Sequence, residues 1–313
     1  MNRLAATVVG ASLTLTVVAC GSSAPVAAES RTEPVDVVLG WYPTAESGGF
    51  HAALEEGFYT DNGLSVTHQP GGPQVSQTQV VAAGRTEFGL TDATTIAVSR
   101  AAGIPVVAVA ALFQDNPVGV MVHADSGATD WTDLAGRTWY VQTGQPGQEW
   151  VRRNGGTDFT TVAYNGSITA ALHDPSAGQQ GWPTKEVQQA RKAGVETRFL
   201  SYASAGYNPY NDVIFTTEEY LRDHPDEVRA FLGATLRGWA ASMSDTALAE
   251  KVNTTLQQED PQLDPVANWF AWDAQMTELG ALEPGLDPAR LFDTSALPAV
   301  PAPSSLPPAP AAS

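Results

Sequence analysis

The 313-residue chain predicts an α/β body of two lobes, each a largely parallel sheet covered by helices, with a hinged cleft between them. Three observations carry that expectation. Short β-branched runs alternate with helical patterns from Val35 onward, the alternation breaks at Gln114-Asp-Asn-Pro117 and restarts, and both ends of the chain differ in composition from this body.

The ends come first. Residues 1–19 open with a cationic Met1-Asn-Arg3, continue in an apolar run too short to span a bilayer and finish in small residues before Cys20, the pattern of a signal peptide closing on a lipobox. Cys20 is the only cysteine, so it has no partner for an intramolecular disulfide or a thiolate cluster, and lipidation is its expected role. Residues 20–33 read as a lipid-anchored flexible tether, and the Pro/Ala-rich residues 297–313 as a tail that builds no packed element.

Within the body, VDVVLG is a strand, GGFHAALEEGFY a helix with Phe50, Ala53, Leu54 and Phe58 on one face, and LSVTH a second strand. PQVSQTQVVAAG and ATTIAVSRAAG are helices stopped by Gly84 and Gly103, with the strands EFGLT and PVVAVAALF after them. The restart supplies VGVMVH, the short helix TDWTDLAG, RTWYVQ, a glycine-rich turn into QPGQEWVRRNG, and TVAY. A helix from Thr184 as N-cap to Gly194 follows, then VETRFLSY and DVIFT. Thr216-Thr-Glu-Glu219 has capping-box spacing, and Asp223-His-Pro225 opens a long helix with Val228, Phe231, Leu232, Thr235, Leu236 and Trp239 at helical intervals. Trp239, Trp269 and Trp272 are assigned to core. Lobe 1 thus spans 34–116, completed by 217–296, and lobe 2 spans 117–216, with chain crossings expected near Phe113 to Val118 and Val213 to Thr216.

The formal charge of −18 argues against nucleic acid and anionic lipid headgroups as partners. No G-x-S-x-G, P-loop, G-x-G-x-x-G, H-E-x-x-H or C-x-x-C is present, and the five histidines, His51, His68, His123, His173 and His224, have no helical ligand spacing. Neither an enzyme, a metal nor a cofactor is expected.

What the chain does supply is aromatic rings and amides where loops leave strands. Trp41 and Tyr42 follow the first strand, where an open parallel sheet presents ligands beyond its carboxyl ends. Thr91, Asp92, Gln114 and Asn116 follow later strands, and His51 stands one helical turn from Glu55 as a pocket-edge residue. From the second lobe come Gln145 and Gln148, then Gln180, Trp182 and Thr184, then Tyr207 and Tyr210. Such a set suits a flat ring held between aromatic faces and read at its edge by directional bonds. Trp182 reads either as a lid over that ring or as a staple for the following helix, and Lys185-Glu186 as a solvated pair in its first turn.

From Val35 to Asp245 these pieces resemble the solute-binding proteins of ABC importers in the thiamine-pyrimidine-precursor-binding class, with riboflavin-binding and alkanesulfonate-binding relatives. The resemblance rests on LGWYPTAESGGFHAALEEGFYTDNGLSV, AAGRTEFGLTDATT, AAGIPVVAVAALFQDNPVGVMV, TDLAGRTW and GQQGWPTKEVQQARKAGVETRFLSYASAGYNPYNDVIFTTEEYL. It implies a type II periplasmic-binding-protein fold and a monomer outside the cell membrane, held there by its lipid. That monomer would pass a small solute to a permease with a cytoplasmic ATPase. Pyrimidine and riboflavin binders of this class often carry asparagine where Lys185 stands. Relatives that synthesise the pyrimidine by consuming themselves carry a cysteine-rich segment that this chain lacks. An anion such as a sulfonate or nitrate is the alternative solute, held by backbone N–H groups of Thr91–Thr95 and Gly144–Gln148 with Arg152 or Arg153. A surface interaction lipoprotein without transport is the alternative from another functional class.

Overall fold

The computed structural model describes residues 32–113, 115–261, 263–264 and 268. Cys20, Gln114, Trp269, Trp272 and the segments 1–19 and 297–313 lie outside the described residues. β1 (Glu33–Val38) carries Val35 and Val37 fully buried. The helix expected after it is two: α1 (Gly48–Glu55) and α2 (Phe58–Asp61), divided at Gly57, whose φ of +70° only glycine adopts freely. Phe50 and Ala53 are buried, while Leu54, expected on the same face, is 39 % exposed. β2 (Leu64–Gln69), α3 (Gln77–Ala82), β3 (Phe88–Thr91), α4 (Ala93–Ala101) and β4 (Val106–Phe113) then follow the apolar pattern.

The chain next builds a second sheet from β5 (Gly119–His123), β6 (Thr138–Val141), α5 (Pro146–Asn154), β7 (Thr160–Ala163), α6 (Thr169–His173), β8 (Gly178–Gly181), α7 (Glu186–Lys192) and β9 (Thr197–Ser201). Its strand order is β7-β6-β8-β5-β9, with β6 parallel to β7 and β8 and with β5 antiparallel to β8 and β9. β8 is the sequence GQQG, to which the sequence pattern assigns no strand. It is a buried central strand without one β-branched residue. α7 also starts later than expected, with Lys185 rather than Thr184 at the N-cap.

β10 (Asn211–Thr217) corrects the boundary between lobes. Expected to end lobe 2, it lies in the first sheet, ordered β2-β1-β3-β10-β4, antiparallel to both neighbours. The reason is burial on two faces: Ile214 joins the cluster with Phe50, Phe88 and Phe231, while Val213 and Phe215 join Val38, Val81 and Ile96 on the other side. Only a central strand of a sheet covered on both sides buries three consecutive residues this way. The return crossing therefore falls between Ser201 and Asn211.

α8 (Glu218–Asp223), α9 (Pro225–Ser244) and α10 (Thr246–Glu259) cover the first sheet. The cap of α8 is Thr217, which accepts from the Tyr220 N–H, because Thr216 is still strand and donates to the Glu87 carbonyl. On α9, Phe231 stacks on Phe88 with centroids 4.1 Å apart, and Trp239 is buried as expected. Both sheets belong to one compact unit beginning at Thr32. Among the described residues no helix is long and apolar enough to cross a membrane.

Candidate functional site

A cavity of about 110 Å³ is lined by residues that follow strands of both sheets. From the first come Trp41 and Tyr42 after β1, Thr91 and Asp92 after β3, and Asn211 and Asp212 at the start of β10. Because β10 runs antiparallel to β3, its start lies beside the carboxyl end of β3, which brings Asp212 to this edge. The second sheet contributes Gln142 and Gln145 after β6, Tyr164 after β7, and Gln180, Trp182, Lys185 and Glu186 at the end of β8 and the start of α7.

The two tryptophans exchange sides. Trp41, from the first sheet, packs on the cluster of Met121, Tyr164, Ile168 and Ala190, all from the second, and its ring is nearly parallel to Tyr164 with centroids 6.0 Å apart. Trp182, from the second sheet, packs on the first-sheet core and meets Phe113 edge-on at 5.3 Å. Gln77 holds the loop under Trp41, donating to the Gly40 carbonyl at 2.9 Å.

Electrostatically the wall is acidic. Glu186 is 2 % exposed, which corrects its reading as half of a solvated pair. Its Oε1 accepts from the Tyr164 hydroxyl and its Oε2 from the Trp182 N–H, each at 2.8 Å, so the carboxylate fixes the loop that carries Trp182. Lys185 places Nζ 3.7 Å from Glu186 Oε1 and 4.8 Å from the Trp41 ring centre. Burial pushes the Glu46 carboxyl up to about 7, with Lys185 opposing and Glu186 adding to the shift. Burial holds the Asp212 carboxyl well above the usual range, reinforced by Glu46 and Asp92.

The stability consequence has a definite sign. A carboxyl whose folded pKa is raised takes up a proton on folding between about 4.5 and 7, so it favours the folded state least above that window. Glu46→Gln should therefore raise the melting temperature of the empty protein relative to wild type at pH 8 and lose that advantage at pH 4.5. The difference is on the order of 1–3 kcal/mol, read from paired denaturation curves.

Of the residues expected at the site, Trp41, Tyr42, Thr91, Asp92, Gln145, Gln180 and Trp182 line the cavity. The rest do not. His51 is buried in α1, its Nδ1 donating to the Ser47 carbonyl and its Nε2 3.1 Å from Glu259. Asn116 caps the crossing, accepting from the Val118 N–H and donating its own N–H to Asn208. Gln148 donates to the Gln142 carbonyl, and Thr184 is buried behind the Trp182 loop. Tyr207 donates to the Thr94 hydroxyl, joining the segment after β9 to α4, and Tyr210 is half-buried against the Val213 and Phe215 side of the first sheet. Glu46, Gln77, Gln142, Tyr164, Lys185, Glu186, Asn211 and Asp212 line the cavity and were not expected there. For Glu186 a local signal exists, a carboxylate four residues after Trp182 and five after Gly181.

Three of the groups proposed for an anion are committed elsewhere. Asp92 accepts from the Thr95 N–H at the α4 N-terminus, and Arg152 and Arg153 both pair with Glu149. Among the described residues no group of three or more His, Cys, Asp or Glu side chains is placed to hold a metal ion.

The NMT1/THI5-like family model matches residues 44–248. The chain is 25 % identical over 249 residues to a 4-amino-5-hydroxymethyl-2-methylpyrimidine phosphate synthase of Legionella pneumophila, covering 76 % of this chain and 77 % of the relative. It is 24 % identical over 245 residues to a formylaminopyrimidine-binding protein of Halalkalibacterium halodurans, covering 74 % and 72 %. With the riboflavin-binding protein RibY of Chloroflexus aurantiacus it shares 23 % over 268 residues, covering 78 % and 76 %. Among solved structures, a protein of Bordetella bronchiseptica superposes with a TM-score of 0.61 at 18 % identity, covering 86 % of this chain and 95 % of its own. The periplasmic aliphatic sulphonate binding protein of Escherichia coli superposes at 0.58 and 16 %, covering 77 % and 78 %. The fold is that of the periplasmic binding proteins: mixed α/β with two sheets.

Proposed function

The chain belongs to the NMT1/THI5-like family, and from that premise we propose that it is the extracytoplasmic solute-binding component of an ABC importer. It closes two lobes on one small planar heteroaromatic ring, of the thiamine-pyrimidine-precursor kind, and presents the closed form to a permease with a cytoplasmic ATPase. Lipidation at Cys20 keeps it at the membrane, and it works as a monomer without catalysing a reaction.

The observation that carries this reading is the exchange of tryptophans across one cavity, with the Glu186 carboxylate held at its edge. Trp41 offers a face, Trp182 comes from the opposite sheet, and each Glu186 oxygen has a lone pair left for a ligand N–H. A solute touching both sides stabilises the closed form by the contacts it makes only there, and that difference is the signal a permease reads.

Charge disfavours the anion alternative. Among the described residues, Glu46, Asp92, Glu186 and Asp212 line the cavity against one cation, Lys185, and none of the lining residues is an arginine. Among the described residues that line the cavity there is neither histidine nor cysteine, and the reading offered is binding rather than the synthase activity named for some relatives.

The test is a melting-temperature and tryptophan-fluorescence screen of protein starting after Cys20 against 4-amino-5-hydroxymethyl-2-methylpyrimidine, riboflavin and an alkanesulfonate. The pyrimidine at a hundred times its dissociation constant should add about 2.7 kcal/mol and raise the melting temperature by roughly 5–10 °C. A shift by the sulfonate alone would replace this reading with anion capture, and no shift by any solute would favour a surface interaction role.

A further inference from the structure

The cavity holds one acid that the binding of a neutral ring leaves without a task. Asp212 is 8 % exposed and lines the cavity. Neither of its side-chain oxygens accepts a hydrogen bond from a described residue, while its backbone N–H donates to Asn211 Oδ1. It is also the one described non-glycine residue with positive φ, at +45°, so the backbone is held in a disfavoured conformation while presenting this carboxylate. Beside it is Gly40, where a Cβ would come 3.8 Å from Asp212 Oδ1, so the missing side chain leaves the acid open to the cavity.

The surrounding charges sharpen the point. Asp212 is faced by Glu46, which precedes α1, and by Asp92 at the start of α4. Glu46 is in turn faced by Lys185 and Glu186 at the start of α7. Lys185 lies beside Glu186 and over Trp41. Asp92 is engaged by the Thr95 N–H and hydroxyl. Among the described residues none donates a hydrogen bond to the Asp212 carboxyl or pairs with it as a cation, and a buried acid so placed is costly unless something arrives to satisfy it.

We propose that Asp212, with Glu46 beside it, receives a protonated amine arm on the heteroaromatic solute, so that the preferred solute is an amine-bearing cation rather than its alcohol or amide analogue. This rests on the reading of the cavity as a solute site and names the class of solute it prefers. The ring stacks on Trp41 with its edge at Glu186, and the ammonium supplies the donors that Asp212 lacks. Since the neighbouring Glu46 carboxyl, pushed up to about 7 by burial, is partly protonated in the empty protein near neutral pH, capture of the ammonium between the two acids releases a proton to solvent.

Calorimetry on the full soluble body with three probes tests this. All three share a 4-amino-2-methylpyrimidine ring and carry aminomethyl, hydroxymethyl or formylaminomethyl at position 5. At pH 8 the aminomethyl compound should bind at least tenfold tighter than the other two. That preference should shrink toward pH 5.5, and its enthalpy near pH 7 should differ between phosphate and Tris buffers by the heat of the released proton. Asp212→Asn should abolish the preference, so that the aminomethyl compound binds no tighter than the hydroxymethyl one. Equal affinities, a preference for the hydroxymethyl or formyl arm, or a preference surviving in Asp212→Asn would each overturn the proposal while leaving the site standing. If none of the three binds, the reading of the cavity itself falls, and the proposal with it. Should Asp212→Asn fail to fold, the wild-type comparison of the three arms decides.

Discussion

Trp41→Ala is expected to weaken binding of the pyrimidine roughly 30- to 150-fold. Covering ~60–80 Å² of ring face is worth about 1.5–2 kcal/mol at ~25 cal/mol/Å², and parallel stacking adds ~0.5–1 kcal/mol. Together they correspond to that ratio in the dissociation constant. Stability should respond less, because Trp41 is only partly buried at the rim of the second-sheet cluster. Trp182→Ala should behave differently. Its ring packs edge-on against Phe113 and the first-sheet core, so truncation should lower the melting temperature of the empty protein as well as the affinity. Calorimetry and melting curves on the two variants separate a half-buried ring at the rim of the second-sheet cluster from one set against the first-sheet core. An unchanged dissociation constant in Trp41→Ala would remove the stacking face from the site altogether.

The contrast shows which parts of the molecule are legible before folding. Continuously apolar strands, such as β4 with its three valines, and glycine-stopped helices, such as α3 and α4, declare themselves through local periodicity, and their order implies two sheets with a cleft between. Trp41 is legible for the same reason, since it follows a strand whose end faces that cleft. β8 is not, because its reason for being a strand is its pairing with β5 and β6, and GQQG carries no propensity of its own. Nor is the partner of β10, whose apolar run fits either sheet until burial on two faces decides. The acidic wall follows from that choice. Asp212 reaches the cavity only because β10 runs against its neighbours, and Glu186 turns inward only because Tyr164, 22 residues earlier, comes within reach. Alternation along a chain does not encode such distances.

Gly181→Ala should abolish most of the binding that depends on Glu186 without touching the solute. A Cβ at this position would lie 2.6 Å from Cβ, Cγ and Oε2 of Glu186. Two of those atoms are near the backbone, so the side chain as a whole must leave rather than swing its tip. The Tyr164 hydroxyl and the Trp182 N–H then lose their acceptor in a largely buried setting, at a cost of about 1–3 kcal/mol for each donor left unsatisfied. Several degrees of melting temperature should go with them. Affinity should fall at least tenfold, since a hydrogen bond to a charged group is worth ~1.5–3 kcal/mol. Glu186→Ala should show a similar loss. The decisive comparison is the double variant: if glycine acts by leaving room for the folded-back carboxylate, Gly181→Ala costs almost nothing further once Glu186 is gone, and the coupling energy nearly equals either single effect. Simple additivity would mean that the glycine serves β8 alone and that the carboxylate keeps its place by other contacts.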